Sequence, residues 1–324
     1  MTSSTTAPSP VAAGLAAHVA EGLRRAPKTL SSMYLYDDKG SVLFQQIMGL
    51  PEYYPTRAEY GIFAAHGEAI AAALNPADAP GPLALVELGA GDGLKTKLLL
   101  RELLATSGDF SYVPVDISPS ALAGLAASLA DEFPGLRTTP VATDYAKALA
   151  QLAARPGRKA VLFLGSNIGN FAPTERAAFL AQLAAPLAAA DRLLVGFDLQ
   201  KDPRRIRAAY DDAQGVTAAF NLNLLARLNR ELDASFDLAA WQHYTDYDPL
   251  TGAVRSYLVS TRAQTVRLEA LDQTVHFAAW EVIHTENSYK FTHPQIAVMA
   301  AAAGLHVVAT FDDGDFADVV LARA

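Results

Sequence analysis

The segment Leu83–Thr96, LALVELGAGDGLKT, constrains the fold more than any other stretch of the chain. Its apolar run Leu83-Ala84-Leu85-Val86 suits a strand covered on both faces. Glu87 follows, then a turn with glycine at 89, 91 and 93, then the helix-forming stretch LKTKLLLRELLA. Strand, glycine turn and helix form the opening unit of a nucleotide-binding α/β sheet, where backbone N–H groups at the helix start face the ligand. Glycine is needed because the turn is tight and a ligand must come close to the backbone. One residue excludes two common glycine loops. Both GxGxxG and GxxxxGK[ST] require glycine at position 94, which is Leu94, although Lys95-Thr96 match the tail of the second.

Beyond the turn the units alternate. SYVPVDIS reads as a second strand ending in Asp116. An ionised carboxylate offers only acceptors, which suits the two hydroxyls of a ribose; capping the helix at Pro119 together with Ser118 is the alternative. TTPVATD is a short strand ending at Asp144-Tyr145, and RKAVLFLGSNIGNF runs into Gly165 to Asn170. The carboxyl ends of such strands are where open α/β sheets bind ligands, although Asn170 could serve the turn alone. After DRLLVGFDLQ the chain closes with LHVVATFDDGDFADVVLARA, two strands about a DDGD turn. The expected sheet therefore has seven strands, the last antiparallel.

The pattern changes between Lys201 and about Glu286, where a long amphipathic segment precedes strand-like pieces of period two. Near the start, residues 11 to 25 read as a helix with Leu15, Val19 and Leu23 on one face. The expected organisation is a flexible tail at 1–10, a substrate-binding lid domain from 11–59 with 200–285, and a sheet domain from 60–199 with 286–324. The Pro-bracketed Tyr53-Tyr54 pair either presents a hydroxyl or covers an apolar face.

Composition narrows the function. A net charge of −8 disfavours nonspecific nucleic-acid binding. With no cysteine there is no thiolate nucleophile or Cys-ligated metal, and the seven histidines show no ligand spacing, so no metal is expected. No basic n-region with an apolar core opens the chain and no run of about 18 apolar residues occurs, so neither a secretory signal nor a membrane span is expected. A cytoplasmic monomer is the default expectation.

The turn ELGAGDG resembles the first motif of S-adenosylmethionine (SAM)-dependent methyltransferases. Five segments in order, YDDKGSVLFQQIMGLPEYYPTR, VELGAGDGLKT, FLGSNIGNF, AYDDAQGVTAAFNLN and HTENSYKF, are similar to the histidine Nα-methyltransferases of ergothioneine biosynthesis. The resemblance runs from about Leu30 to the C-terminus. It implies a Rossmann-like class I methyltransferase sheet with a second α+β domain, SAM as cofactor, and trimethylation of the α-amine of L-histidine to hercynine. Carried over by position, Gly89, Lys95, Asp116, Asp144 and Tyr145 would hold SAM. Tyr53, Asn170 and Tyr210 would hold the amino-acid end and align the amine in catalysis, Glu286 and Ser288 would read the imidazole, and Tyr36 and Phe44 would line its pocket.

Those residue types suit the chemistry. Neutral imidazole has one N–H donor and one bare nitrogen, matched by a carboxylate that accepts and a hydroxyl that donates. At Ser256 many members of the family have a methionine, and a small polar residue there leaves room for a bulkier substrate. The rival readings are an N-methyltransferase for another aromatic amino acid, such as a tryptophan derivative, a nicotinamide-dependent dehydrogenase, and a non-catalytic SAM- or partner-binding protein.

Overall fold

The computed structural model describes residues 10–324 apart from 78, 80, 107, 108 and 156. Of the tail expected at residues 1–10, residues 1–9 lie outside the described residues, while Pro10 already belongs to the first helix, Pro10–Gly22. Leu15, Val19 and Leu23 are buried, as their spacing predicts.

The chain divides into two compact units, one of residues 202–288 with the described residues up to Tyr53, the other of Tyr54–Lys201 with Tyr289–Ala324. The second is built on a sheet of eight strands, β1 (Leu83–Leu88), β2 (Phe110–Asp116), β3 (Arg137–Thr138), β4 (Val141–Ala142), β5 (Arg158–Phe163), β6 (Arg192–Asp198), β7 (Leu305–Asp312) and β8 (Phe316–Arg323). Their order is β7-β8-β6-β5-β1-β2-β3, with β4 also paired to β2. β6, β5, β1, β2, β3 and β4 pair in parallel, while β8 runs antiparallel to both neighbours. The strand expected over TTPVATD is two short pieces, because Pro140 between them has no N–H for the ladder.

Alternation within each strand builds two cores. Ala84, Val86, Leu88, Val161 and Phe163 pack with the helices Tyr145–Ala154, Pro173–Ala184 and His293–Ala302. Leu83, Leu85, Tyr112, Ala160 and Leu162 pack with Tyr54–Leu74, Thr96–Thr106 and Pro119–Glu132. With three helices on each face, successive side chains on both sides of the strands must be apolar.

The helix Tyr54–Leu74 belongs wholly to this unit, since Ile62, Phe63, Ile70 and Leu74 join its core. The border expected at 59/60 therefore lies at 53/54, and those expected at 199/200 and 285/286 lie at 201/202 and 288/289.

The other unit has a four-stranded sheet in the order Lys28–Thr29, Val282–Tyr289, Ala253–Ser260, Trp241–Asp248, and a separate hairpin of Gln264–Leu268 with Gln273–Phe277. Its core joins Leu15, Val19 and Leu23 to Phe220, Leu224, Leu258 and Ile283. The amphipathic segment expected to be continuous breaks into Pro203–Ala208 and Val216–Glu231. Gly215 at φ 74° opens the second helix, and Asp212 accepts from Val216 N at 3.0 Å and Thr217 N at 2.8 Å. A side-chain cap and a left-handed glycine stop one helix and start the next.

At the amino ends of the central strands, Asp191 accepts from Lys159 N and Ala188 N, both at 2.8 Å, and pairs with Lys159 Nζ at 2.8 Å. Asp191→Ala leaves a buried ammonium and two amide donors without their acceptor, and should cost roughly 3–5 kcal/mol. Denaturant unfolding checks this; a loss under about 1 kcal/mol would mean that water replaces the carboxylate.

Candidate active site

The glycine turn leaves β1 over the carboxyl edge of the sheet. Gly89 N and Ala90 N donate to Val115 O at 2.8 and 3.0 Å, which ties the turn to the end of β2. Gly89 has φ 78°, and a Cβ there would lie 2.8 Å from Tyr145 Oη. Position 89 therefore excludes a side chain both by backbone conformation and by space. Gly91 N donates to Asp116 Oδ2 at 3.0 Å and Ser118 N to Asp116 Oδ1 at 2.9 Å. Asp116 thus holds the turn and its own helix entrance, while Ser118 caps that helix through Ala121 N at 3.2 Å.

Tyr145 stands on Phe163 and Phe179, with ring centroids 5.4 and 5.8 Å away, and burial pushes its phenol above the ordinary range. Asp144 caps the helix Tyr145–Ala154 through Lys147 N at 2.9 Å, and that amide holds its carboxyl below the usual value. Asn170 ends the 3-10 turn Asn167–Asn170, which follows Ser166 at φ 54°. A Cβ at Gly169 would lie 2.7 Å from Tyr289 O, so the turn needs glycine where it passes that backbone.

Lys95 binds Glu59, a residue that the sequence reading did not single out. Glu59 is fully buried on the helix Tyr54–Leu74, and its other oxygen accepts from Gly165 N at 2.7 Å. Burial would lower the Lys95 ammonium, but the Glu59 charge and hydrogen bond outweigh it and keep the pKa raised. Gly196 makes room, since a Cβ there would lie 2.5 Å from Glu59 Oε1. Opposite Gly196 sits Asp318, whose two carboxyl oxygens are buried with no hydrogen-bond partner among the described residues. Burial, then the Glu59 charge, pushes the Asp318 carboxyl well above its ordinary value. Two signals in the sequence mark this cluster: a glycine inside the apolar strand RLLVGFD, and an aspartate inside FADVVLAR.

The other unit collects its own set. Tyr36 meets Phe44 at 5.3 Å, Phe44 meets Tyr53 at 6.1 Å, and Tyr53 meets Tyr210 at 6.2 Å between centroids. Phe220, inside the segment AYDDAQGVTAAFNLN but given no role there, packs on Tyr36 and Phe44 at 5.4 and 5.9 Å. Asp37 ties the two helices that carry Phe44 and Phe220, accepting from Gly40 N, Asn223 Nδ2 and Arg230 Nη2 at 2.5 to 2.7 Å. Tyr210 Oη lies 2.8 Å from Ser288 Oγ. Glu286 is two residues earlier on the same strand, Val282–Tyr289, and so on the same face as Ser288. Ser256 is buried, its Oγ 3.3 Å from Thr245 Oγ1.

Below the glycine turn, Glu87 is buried and accepts from Thr96 Oγ1 at 2.7 Å and from Tyr112 Oη. Burial pushes its carboxyl up to about 7 from 4.5, with the two hydroxyl donors pulling the other way. A raised carboxyl favours the folded state fully below pH 4.5, and that contribution is lost as the pH rises through about 7. The melting temperature of Glu87→Gln relative to the parent should therefore climb between pH 5 and pH 8. Thermal melts across that range test the point, and a difference that does not vary with pH counts against it.

The family described as histidine-specific, SAM-dependent methyltransferases matches residues 15–323. The histidine N-alpha-methyltransferase of Mycobacterium tuberculosis is 43% identical over 92% of this chain and 91% of its own length. The protein of the same name from Mycolicibacterium smegmatis is 42% identical over the same shares. The 4-dimethylallyltryptophan N-methyltransferase of Claviceps fusiformis stands further off, at 26% over 84% of this chain and 81% of its own. With a family match across almost the whole chain and relatives above 40% identity, the chain belongs to the histidine-specific, SAM-dependent methyltransferases.

Proposed function

We propose that the chain methylates the α-amine of L-histidine three times to give hercynine, the first step of ergothioneine biosynthesis, with the sheet unit holding SAM and the other unit reading the amino acid. The observation that carries the substrate half is the file Tyr36, Phe44, Tyr53, Tyr210, which ends on the Tyr210–Ser288 hydrogen bond with Glu286 on the same strand face.

The cofactor half fits its group chemically. Gly89 has no side chain beside Tyr145 Oη, Asp116 supplies a carboxylate for the ribose hydroxyls, and Lys95 supplies an ammonium for a carboxylate. Asp144 and Tyr145 stand at the end of β4 as a carboxylate for the adenine amino group and a flat ring beside it. Bound SAM supplies an electrophilic methyl group on a sulfonium.

The protein's own task is alignment. The nucleophile is the unprotonated α-amine, and displacement at carbon needs it in line with the bond that breaks. Tyr53, Asn170 and Tyr210 hold the amine and carboxylate through neutral hydrogen-bonding groups, and the carboxylate anchor stays the same as the amine exchanges N–H groups for methyl groups. Glu286 accepts from the imidazole N–H and Ser288 donates to its bare nitrogen. A site with both polar groups rejects apolar rings, which would leave a carboxylate and a hydroxyl unpaired. This favours histidine over a tryptophan derivative.

Mass spectrometry of the protein incubated with SAM and each of the twenty amino acids tests the reading. Gains of one, two and three methyl groups on histidine alone are expected; gains on another amino acid with histidine untouched would overturn the substrate. Glu286→Ala should cut histidine turnover by more than about tenfold with SAM affinity nearly unchanged. An equal fall in both would place Glu286 in the fold instead of the pocket.

A further inference from the structure

The chain passes between the two units three times, after Tyr53, after Lys201 and after Ser288. On the sheet unit, the side chain at or next to each passage is bound to one carboxylate, that of Asp198 at the carboxyl end of β6. Tyr54 Oη lies 2.8 and 2.9 Å from its two oxygens. Lys201 Nζ lies 2.5 Å from Oδ1 and Lys290 Nζ 2.8 Å from Oδ2. Lys201 also donates to Tyr54 Oη at 2.9 Å and sits 4.0 Å over its ring. The backbone repeats the tie, with Phe291 N on Asp198 O at 2.9 Å and Gln200 N on Phe291 O at 2.8 Å.

The cluster is buried, Asp198 at 0% exposure and Lys290 at 1%. One carboxylate faces two ammoniums there, an arrangement that stability alone does not favour. Buried ionic groups cost several kcal/mol each to desolvate, and apolar residues of similar volume often serve the fold as well. What an ionic hub adds is direction, because hydrogen bonds to a fixed carboxylate admit few geometries.

Each passage also carries one of the residues assigned to the amino-acid substrate. Tyr53 directly precedes Tyr54, Ser288 is two residues before Lys290, and the segment after Lys201 leads to Tyr210. Those three meet one another, Tyr53 against Tyr210 and Tyr210 on Ser288. We infer that Asp198 is a positioning residue for the amino-acid substrate: it fixes the three passages from which Tyr53, Tyr210 and Ser288 are presented. The inference rests on the assignment of those residues to histidine.

Steady-state kinetics and cofactor binding of Asp198→Asn test it. The histidine KM should rise by roughly tenfold or more, since small misplacements of binding groups are costly. The dissociation constant of S-adenosylhomocysteine should stay within about twofold, because the glycine turn and Asp116 are tied to other partners. A merely structural role gives a different signature, a smaller active fraction that lowers kcat and leaves KM alone. That result, or a matching loss of cofactor affinity, overturns the inference. If Asp198→Asn does not fold, Tyr54→Phe and Lys201→Met carry the same test, and an unchanged histidine KM in both overturns it. Ser288→Ala separates the two layers. A raised KM in Ser288→Ala with none in the Asp198, Tyr54 and Lys201 variants overturns the positioning alone. An unchanged KM in Ser288→Ala removes the assignment beneath it, and the inference with it.

Discussion

The buried ion pair between Glu59 and Lys95 is the interaction that the carboxyl edge of the sheet unit is arranged around. A carboxylate with no exposed surface is costly unless every lone pair is used, and Glu59 uses both oxygens, one on Lys95 and one on Gly165 N. Two neighbouring sequence choices follow. Position 196 must lack a side chain, because the carboxylate occupies the place of its Cβ. Asp318, across the ladder from Gly196, has its carboxyl held well above its ordinary value, because burial and then the charge on Glu59 disfavour the ionised form. The pair joins the helix Tyr54–Leu74 to the start of Thr96–Thr106 and to the loop after β5, three elements that no short-range contact brings together.

Much of the sheet unit was legible in the sequence because its signals are local. A strand covered on both faces announces itself as an unbroken apolar run, and a turn that a ligand approaches announces itself by glycine. The terminal hairpin was legible from its DDGD turn, and Gly314 there has φ 86°. What the periodicity hid were places where a continuous pattern is interrupted by something small. The segment from Arg204 to Leu232 keeps its amphipathic spacing straight through the cap at Asp212 and the left-handed Gly215. The border before Tyr54 was hidden for a different reason, as an aromatic helix start can serve either core and only the partner decides.

The same division runs through the candidate site. Gly89, Lys95, Asp116, Asp144 and Tyr145 each lie within a few residues of a strand end, so the topology of a doubly wound sheet points to them without side-chain detail. Tyr36, Phe44, Tyr53, Tyr210, Glu286 and Ser288 are spread over two distant segments, and nothing local marks them as a set; only the resemblance did. Glu59, Asp198 and Lys290 escaped both routes. Their partners are far away in sequence, and a buried charge looks the same as a solvated one until its burial is known.

The substitution at Ser256 changes meaning once its surroundings are known. A serine in place of a larger apolar side chain leaves room for a bulkier substrate if its hydroxyl is otherwise unmet. Here it faces Thr245 across the ladder, with the hydroxyls 3.3 Å apart, while Ser256 O accepts from Thr285 Oγ1 at 3.1 Å and that hydroxyl donates to Asn221 Oδ1 at 2.8 Å. The serine is thus one member of a buried polar set, and its side chain serves Thr245 while its backbone carbonyl serves Thr285. An isolated methionine at 256 would leave Thr245 Oγ1 with the weaker contact to His243, at 3.4 Å. The polarity of Ser256 is therefore spent inside the sheet. A polar residue at 256 is therefore compatible with the proposed reading of the imidazole by Glu286 and Ser288.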